Sequence, residues 1–179
     1  MRRSYIQSPV RRLLLAPAAA LLLLFAPVSF GQTPSQPDER DSQAIQNLIV
    51  RYASALNAEP VDMDALSQVW LDSPDDSFIY PLGHEHGWEQ IKRNLYQNIM
   101  EAYFSERKLA IRDIHLHIYG DSAWAEFYWH FTAKPRKGSS VVETDGRETQ
   151  IYRNLGQGRW ALVHVHYSAM PPSKPPAAQ

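Results

Sequence analysis

The chain has 179 residues, 44% of them apolar, 21% charged and 11% aromatic, with thirteen prolines, eight glycines and a formal net charge of −1. That length and composition describe a globular chain with room for one core and exclude disorder throughout. Cysteine is absent, so disulfide frameworks, thiolate metal sites, cysteine nucleophiles and lipidated cysteine anchors are excluded.

Residues 1–31 read as an export signal. Arg2, Arg3, Arg11 and Arg12 form a basic lead, Leu13–Val28 is an apolar run of sixteen residues, and Ser29 and Gly31 are small residues suited to cleavage before Gln32. The run is short for a membrane span and contains Pro17 and Pro27; an uncleaved anchor is the alternative. Arg2-Arg3 also resembles a twin-arginine start, whereas the Leu-rich core suits the general secretory route. Removing residues 1–31 takes four of eighteen Lys/Arg and none of nineteen Asp/Glu, leaving a net charge of −5. No basic stripe interleaves with aromatics, so a nucleic-acid partner is not expected, nor is a membrane once the signal is gone.

Residues 32–40 read as a linker, 41–171 as the domain, and 172–179 as a proline-rich tail without regular structure. Asp38, Glu39 and Asp41 place negative charge where a helix starts. Ile45, Leu48, Ile49, Tyr52 and Leu56 then mark one buried helical face. Glu59-Pro60 ends it, and Asp62 caps a short helix turning Leu66, Val69 and Trp70 inward. Ser77–Tyr80 is a brief strand stopped by Pro81, Leu82–Gly87 a loop, and Trp88, Ile91, Leu95 and Ile99 a third helix. The period then becomes two over Leu109–Tyr119, Ala123–Thr132, Val141–Asn154 and Arg159–Ala169, with Gly120-Asp121, Pro135–Ser140 and Gly156-Gln157-Gly158 as turns. Short links between long strands predict an antiparallel meander, and the whole an α+β domain: a curled sheet wrapped against three N-terminal helices.

That order of elements accompanies several strings. They are Ile114-His115-Leu116 before Gly120-Asp121-Ser122-Ala123, Arg147–Tyr152 (RETQIY), and Gly158–Pro171 with Trp160, Val163-His164-Val165-His166 and Ser168. Together they resemble the nuclear transport factor 2-like superfamily, nearest to SnoaL-like proteins and to the association (hub) domain of calcium/calmodulin-dependent protein kinase II. The resemblance implies a cone whose concave sheet face and helices enclose a pocket, while the convex face serves in self-association. It does not imply one activity, because function lives in the site.

Matching to the hub domain puts that family's pocket arginines at His130, Gln150 and Tyr167, so an arginine cluster for a carboxylate ligand is absent. It also turns Glu126, Tyr128 and His130 inward and Phe127, Trp129 and Phe131 outward, the latter with His164 and His166 as the interface between copies. Compared with ketosteroid isomerase in the same superfamily, Tyr52 matches the oxyanion-donor tyrosine. The base position falls at Tyr80-Pro81, without a carboxylate, and a second aspartate falls near Gln150, so steroid isomerisation is not expected. Without that match, a tyrosine in a helical apolar stripe such as Tyr52 is more often a core residue.

Three His-x-His pairs (His84/His86, His115/His117, His164/His166) put imidazoles on common strand faces. Zinc needs three or four converging ligands, so structural or interface roles are expected and no metal or cofactor is assigned. The expected pocket comprises Tyr52, Tyr80, Trp88, Glu126, Tyr128, His130, Gln150, Tyr152 and Tyr167. Two readings stand: an exported, oligomeric module binding a small, mostly apolar molecule, or a cofactor-free isomerase, cyclase or lyase. In the second, His130 polarised by Glu126 abstracts a proton next to a carbonyl and Tyr52 steadies the enolate.

Overall fold

The computed structural model describes residues 39–138 and 140–170. The signal, nearly all of the linker and the proline-rich tail lie outside the described residues.

Helix α1 (Glu39–Asn57) begins with Glu39 and Asp41 in its first turn and buries Ile45, Ile49, Tyr52, Ala55 and Leu56 along one side. Leu48 is only partly buried. Helix α2 (Met63–Ser67) is capped by Asp62, which accepts the Ala65 amide at 2.8 Å. Val69 and Trp70 lie beyond its end and are still buried. Strand β1 (Ser77–Tyr80) turns back at Pro81-Leu82 into β2 (Gly83–His86). The stretch 82–87 was expected as a loop; its alternation spans four residues next to Gly83 and Gly87, too short a period to stand out. Helix α3 (Trp88–Gln90) continues as a π-helix over Ile91–Glu101, burying Trp88, Ile91, Leu95 and Tyr96.

Strands β3 (Phe104–Tyr119), β4 (Ser122–Pro135), β5 (Val142–Asn154) and β6 (Trp160–Ala169) form the expected antiparallel meander. The six strands lie in the order β2-β1-β6-β5-β4-β3, with β1 and β6 parallel. The fold is the expected α+β one, a curled mixed sheet with the helices on its inner face.

The face assignment of β4 is reversed from expectation. Ala123, Ala125, Phe127, Trp129 and Ala133 are buried toward the helices, whereas Glu126 is exposed and Tyr128 and His130 are partly so. Alternation tells which residues share a face but not which face is inner. The energetics decide it: the aromatic set gains by leaving water, and a carboxylate such as Glu126 loses. Phe127 and Trp129 therefore belong to the core rather than to an outward patch, and Phe131 packs against it.

Candidate active site

Between the inner sheet face and the helices lies a pocket of about 300 Å³. Its floor is Tyr52 from α1, Trp129 from β4, Glu148 from β5 and Tyr167 from β6, and Pro81 and Leu82 of the β1–β2 turn stand among its lining. Leu95, Ile99, Phe104 and Phe131 supply apolar wall.

Among the described residues Glu148 is the one carboxyl in that lining, and it is 4% exposed. Gln150 Nε2 donates to Glu148 Oε1 at 2.6 Å, and the Tyr152 hydroxyl donates to Gln150 Oε1. The Tyr52 hydroxyl lines the same pocket beside the Glu148 carboxyl. Burial pushes Glu148 up to about 8, against the hydrogen bond from Gln150 and the neighbouring Tyr52 hydroxyl, which favour its charged form. At pH 7 it is mainly a neutral acid. Burial also raises the Tyr52, Tyr96 and Tyr152 hydroxyls far above the ordinary phenol value, so all three keep their protons. Tyr167 is pushed up to about 12 by burial, with Glu148 adding to it. Trp70 Nε1 donates to the Tyr96 hydroxyl at 3.0 Å, which anchors that ring.

The expected site residues divide. Tyr52 and Tyr167 line the pocket, and Gln150 and Tyr152 stand behind Glu148 as its supports. Tyr80 stacks on Tyr167 at 6.3 Å and donates to Glu85 at 3.0 Å. Trp88 is packed between Trp70 and Tyr96 rather than in the lining. Glu126, Tyr128 and His130 are on the opposite side of the sheet. Glu126 sits across from His115 and Thr149, and Tyr128 lies under the Arg112 guanidinium at 4.7 Å. His130 Nδ1 meets Asp145 Oδ1 at 3.1 Å and its Nε2 meets Glu143 Oε1 at 3.6 Å. A His130–Glu126 acid–base pair facing the pocket is therefore ruled out by the direction of β4. The same reversal corrects the interface: Trp129 and Phe131 line the pocket, and Phe127 is buried in the core.

His164 and His166 are on the outer face, where Ser77 Oγ lies 2.6 Å from His164 Nδ1. Cross-strand pairing carries all three His-x-His pairs into two rows on that face. One runs His84–Ile79–His166–Thr149–Glu126–His115 and the other His86–Ser77–His164–Ile151–Trp124–His117. Among the described residues no group of three or more His, Asp or Glu could hold a metal. A wider hollow of about 500 Å³ on this face is lined by Asp113, His115, Glu126, Arg147 and His166. The inner pocket is the better candidate because it sets an ionisable group in apolar surroundings.

Glu148 was missed in the sequence. It stands two residues before Gln150, already placed inward, so strand parity alone would have put it on the same face.

Residues 45–172 match the family described as SnoaL-like domain. Among solved structures, a nuclear transport factor 2-like superfamily protein from Salmonella enterica serovar Typhimurium is 37% identical, with TM-score 0.71 over 79% of this chain and 99% of that one. A protein with a cystatin-like fold from Caulobacter vibrioides (23% identical, TM-score 0.61, 74% and 91% covered) shares the fold. So does the hexachlorocyclohexane dehydrochlorinase LinA-type3 from Novosphingobium barchaimii (15% identical, TM-score 0.63, 73% and 86% covered). No curated protein matches the chain.

Proposed function

The chain belongs to the SnoaL-like family of the nuclear transport factor 2-like superfamily, and on that premise we propose that it binds a small, mostly apolar molecule in the pocket inside the cone. The observation that carries this reading is Glu148, a buried carboxyl held by Gln150 in a pocket otherwise walled by aromatic and aliphatic side chains. Such a site gains its affinity from apolar contact and its orientation from one polar group. The reading includes export after loss of residues 1–31 and self-association through the outer sheet face, where His164 and His166 lie. Native mass spectrometry of the secreted product tests it: subunits starting near Gln32, more than one per particle, and a retained organic molecule are expected. A monomer with no bound mass at any concentration speaks against it.

A second reading, proton transfer without a cofactor, is favoured by the position of Glu148 near neutrality in a cleft beside Tyr52. Its chemistry moves from His130 and Glu126 to Glu148, whose ionised fraction is the base, with Tyr52 as donor to a developing enolate. With 2-acetonaphthone in D₂O, this reading expects enzyme-dependent exchange of the methyl protons. Glu148→Gln abolishes the exchange, and Tyr52→Phe slows it by about 10²-fold. Exchange equal to the buffer blank leaves binding alone.

A further inference from the structure

The polar inventory of the pocket defines its ligand more narrowly than "apolar". Among the described residues no Lys, Arg or His lines it; its polar groups are the hydroxyls of Tyr52, Tyr96, Tyr167 and Thr144, the Glu148 carboxyl and the buried, unpartnered indole N–H of Trp129. Of these, Tyr96 is tied to Trp70, and Tyr52 stands next to both Glu148 and Tyr96. The Tyr167 hydroxyl has no hydrogen-bond partner among the described residues, while its ring is fixed against Phe78, Tyr80 and Trp129. Glu148 receives Gln150 on Oε1, and as a neutral acid it still has an O–H to give. A fixed phenol and a fixed carboxylic acid thus stand in one wall, both with a hydrogen to donate and no cation near.

We propose that the pocket selects a neutral molecule of bicyclic size carrying a carbonyl-type acceptor, taken by the Tyr167 hydroxyl and the Glu148 carboxyl, and that it rejects carboxylates. The inference rests on the small-molecule reading above and adds the ligand's charge and polar group. The size follows from volume: an apolar cavity of about 150 Å³ takes benzene, and this pocket is about 300 Å³. The rejection follows from electrostatics. A carboxylate entering here is desolvated without a cation to meet it and forces its charge against a group that burial already keeps uncharged. A hydrocarbon is accepted but leaves both donors unmet.

Equilibrium dialysis of the purified protein at pH 7 with three compounds of one skeleton tests this: 2-acetonaphthone, 2-isopropylnaphthalene and 2-naphthoate. The ketone is expected to bind at least tenfold more tightly than the hydrocarbon, and the naphthoate more weakly than either. Tyr167→Phe keeps the ring contacts and is expected to lower ketone affinity about fivefold without moving the hydrocarbon. Equal affinity for ketone and hydrocarbon in the wild type overturns the acceptor assignment and leaves the apolar pocket standing. Naphthoate binding most tightly overturns the charge assignment. If neither the ketone nor the hydrocarbon binds, the small-molecule reading fails and the inference with it.

Discussion

Glu148 holds its proton because of where it sits, and that gives the folded state a pH dependence with a definite sign. In the unfolded chain its carboxyl ionises near 4.5, while in the fold it does so at about 8. The stabilisation of the protonated form is complete below the unfolded value and is lost as pH rises toward the folded one, at about 1.4 kcal/mol per unit of pKa difference. Asp76, pushed up to about 6 chiefly by burial, contributes with the same sign but has finished titrating by pH 7. His164, held below the ordinary imidazole value by burial and by His166 and His84, contributes with the opposite sign. Between pH 7 and 8.5 the melting temperature of the wild type should therefore fall, and that of Glu148→Gln should stay level; parallel curves would show that Glu148 ionises normally. Gly146 is a second residue whose identity is set by its neighbour. A Cβ built there lies 2.1 Å from Trp129 Cζ2 and 2.4 Å from the Ser168 carbonyl oxygen. Gly146→Ala should displace the Trp129 ring from the pocket floor and cost about 1–3 kcal/mol in urea unfolding, with a shifted tryptophan emission.

Among the elements, the ends of α1 and of the π-helix are held by one side chain from β3. Arg107 is buried and donates to the carbonyls of Leu56 (2.9 Å), Ala58 (2.5 Å), Met100 (2.7 Å) and Phe104 (2.8 Å), and it pairs with Glu59 at 2.9 Å. These include carbonyls that helix ends leave without partners. Arg107→Met fits the apolar surroundings but strands the carbonyls, and should cost at least about 3 kcal/mol by chemical denaturation; a loss under 1 kcal/mol would mean that water replaces the guanidinium. This clamp was not legible in the sequence, since it depends on which chain segments meet, whereas the inward side of the pocket carboxyl follows from Gln150 by strand parity. Periodicity did reveal α1, the position of β1 and the four long strands, because each repeats its pattern over enough residues. Parity on β4 was read correctly as two sets, and their sides were exchanged: the alternation Ala123, Ala125, Phe127, Trp129 contains no charge, while its complement contains Glu126. That comparison of the two faces was available without a structure. A position-by-position match with the hub domain assigns the sides differently, because a one-residue offset changes every side.

At the scale of the whole molecule, the strand written last is not at the edge. Strand β6 lies between β5 and β1, and it also reaches the N-terminal half through the Trp70–Leu162 bridge and the 2.8 Å bond from Trp160 Nε1 to Asp41 Oδ1. Deleting residues 159–179 should accordingly leave no cooperative unfolding transition, whereas deleting 172–179 should leave the midpoint within about 0.5 kcal/mol of the full chain; a folded product from the longer deletion would contradict the central place of β6. The order of synthesis adds a matter of time. Helices α1 and α2 and the β1–β2 hairpin leave the ribosome several seconds before β6, the sheet partner of β1, at about 5–20 residues per second. Until β6 emerges, β1 has only β2 beside it, and an isolated hairpin is marginal in water. The nascent chain thus passes most of its own translation unable to close, open to chaperones, to proteases or to any machinery that accepts only unfolded polypeptide, and it becomes closed to all of them at the last strand.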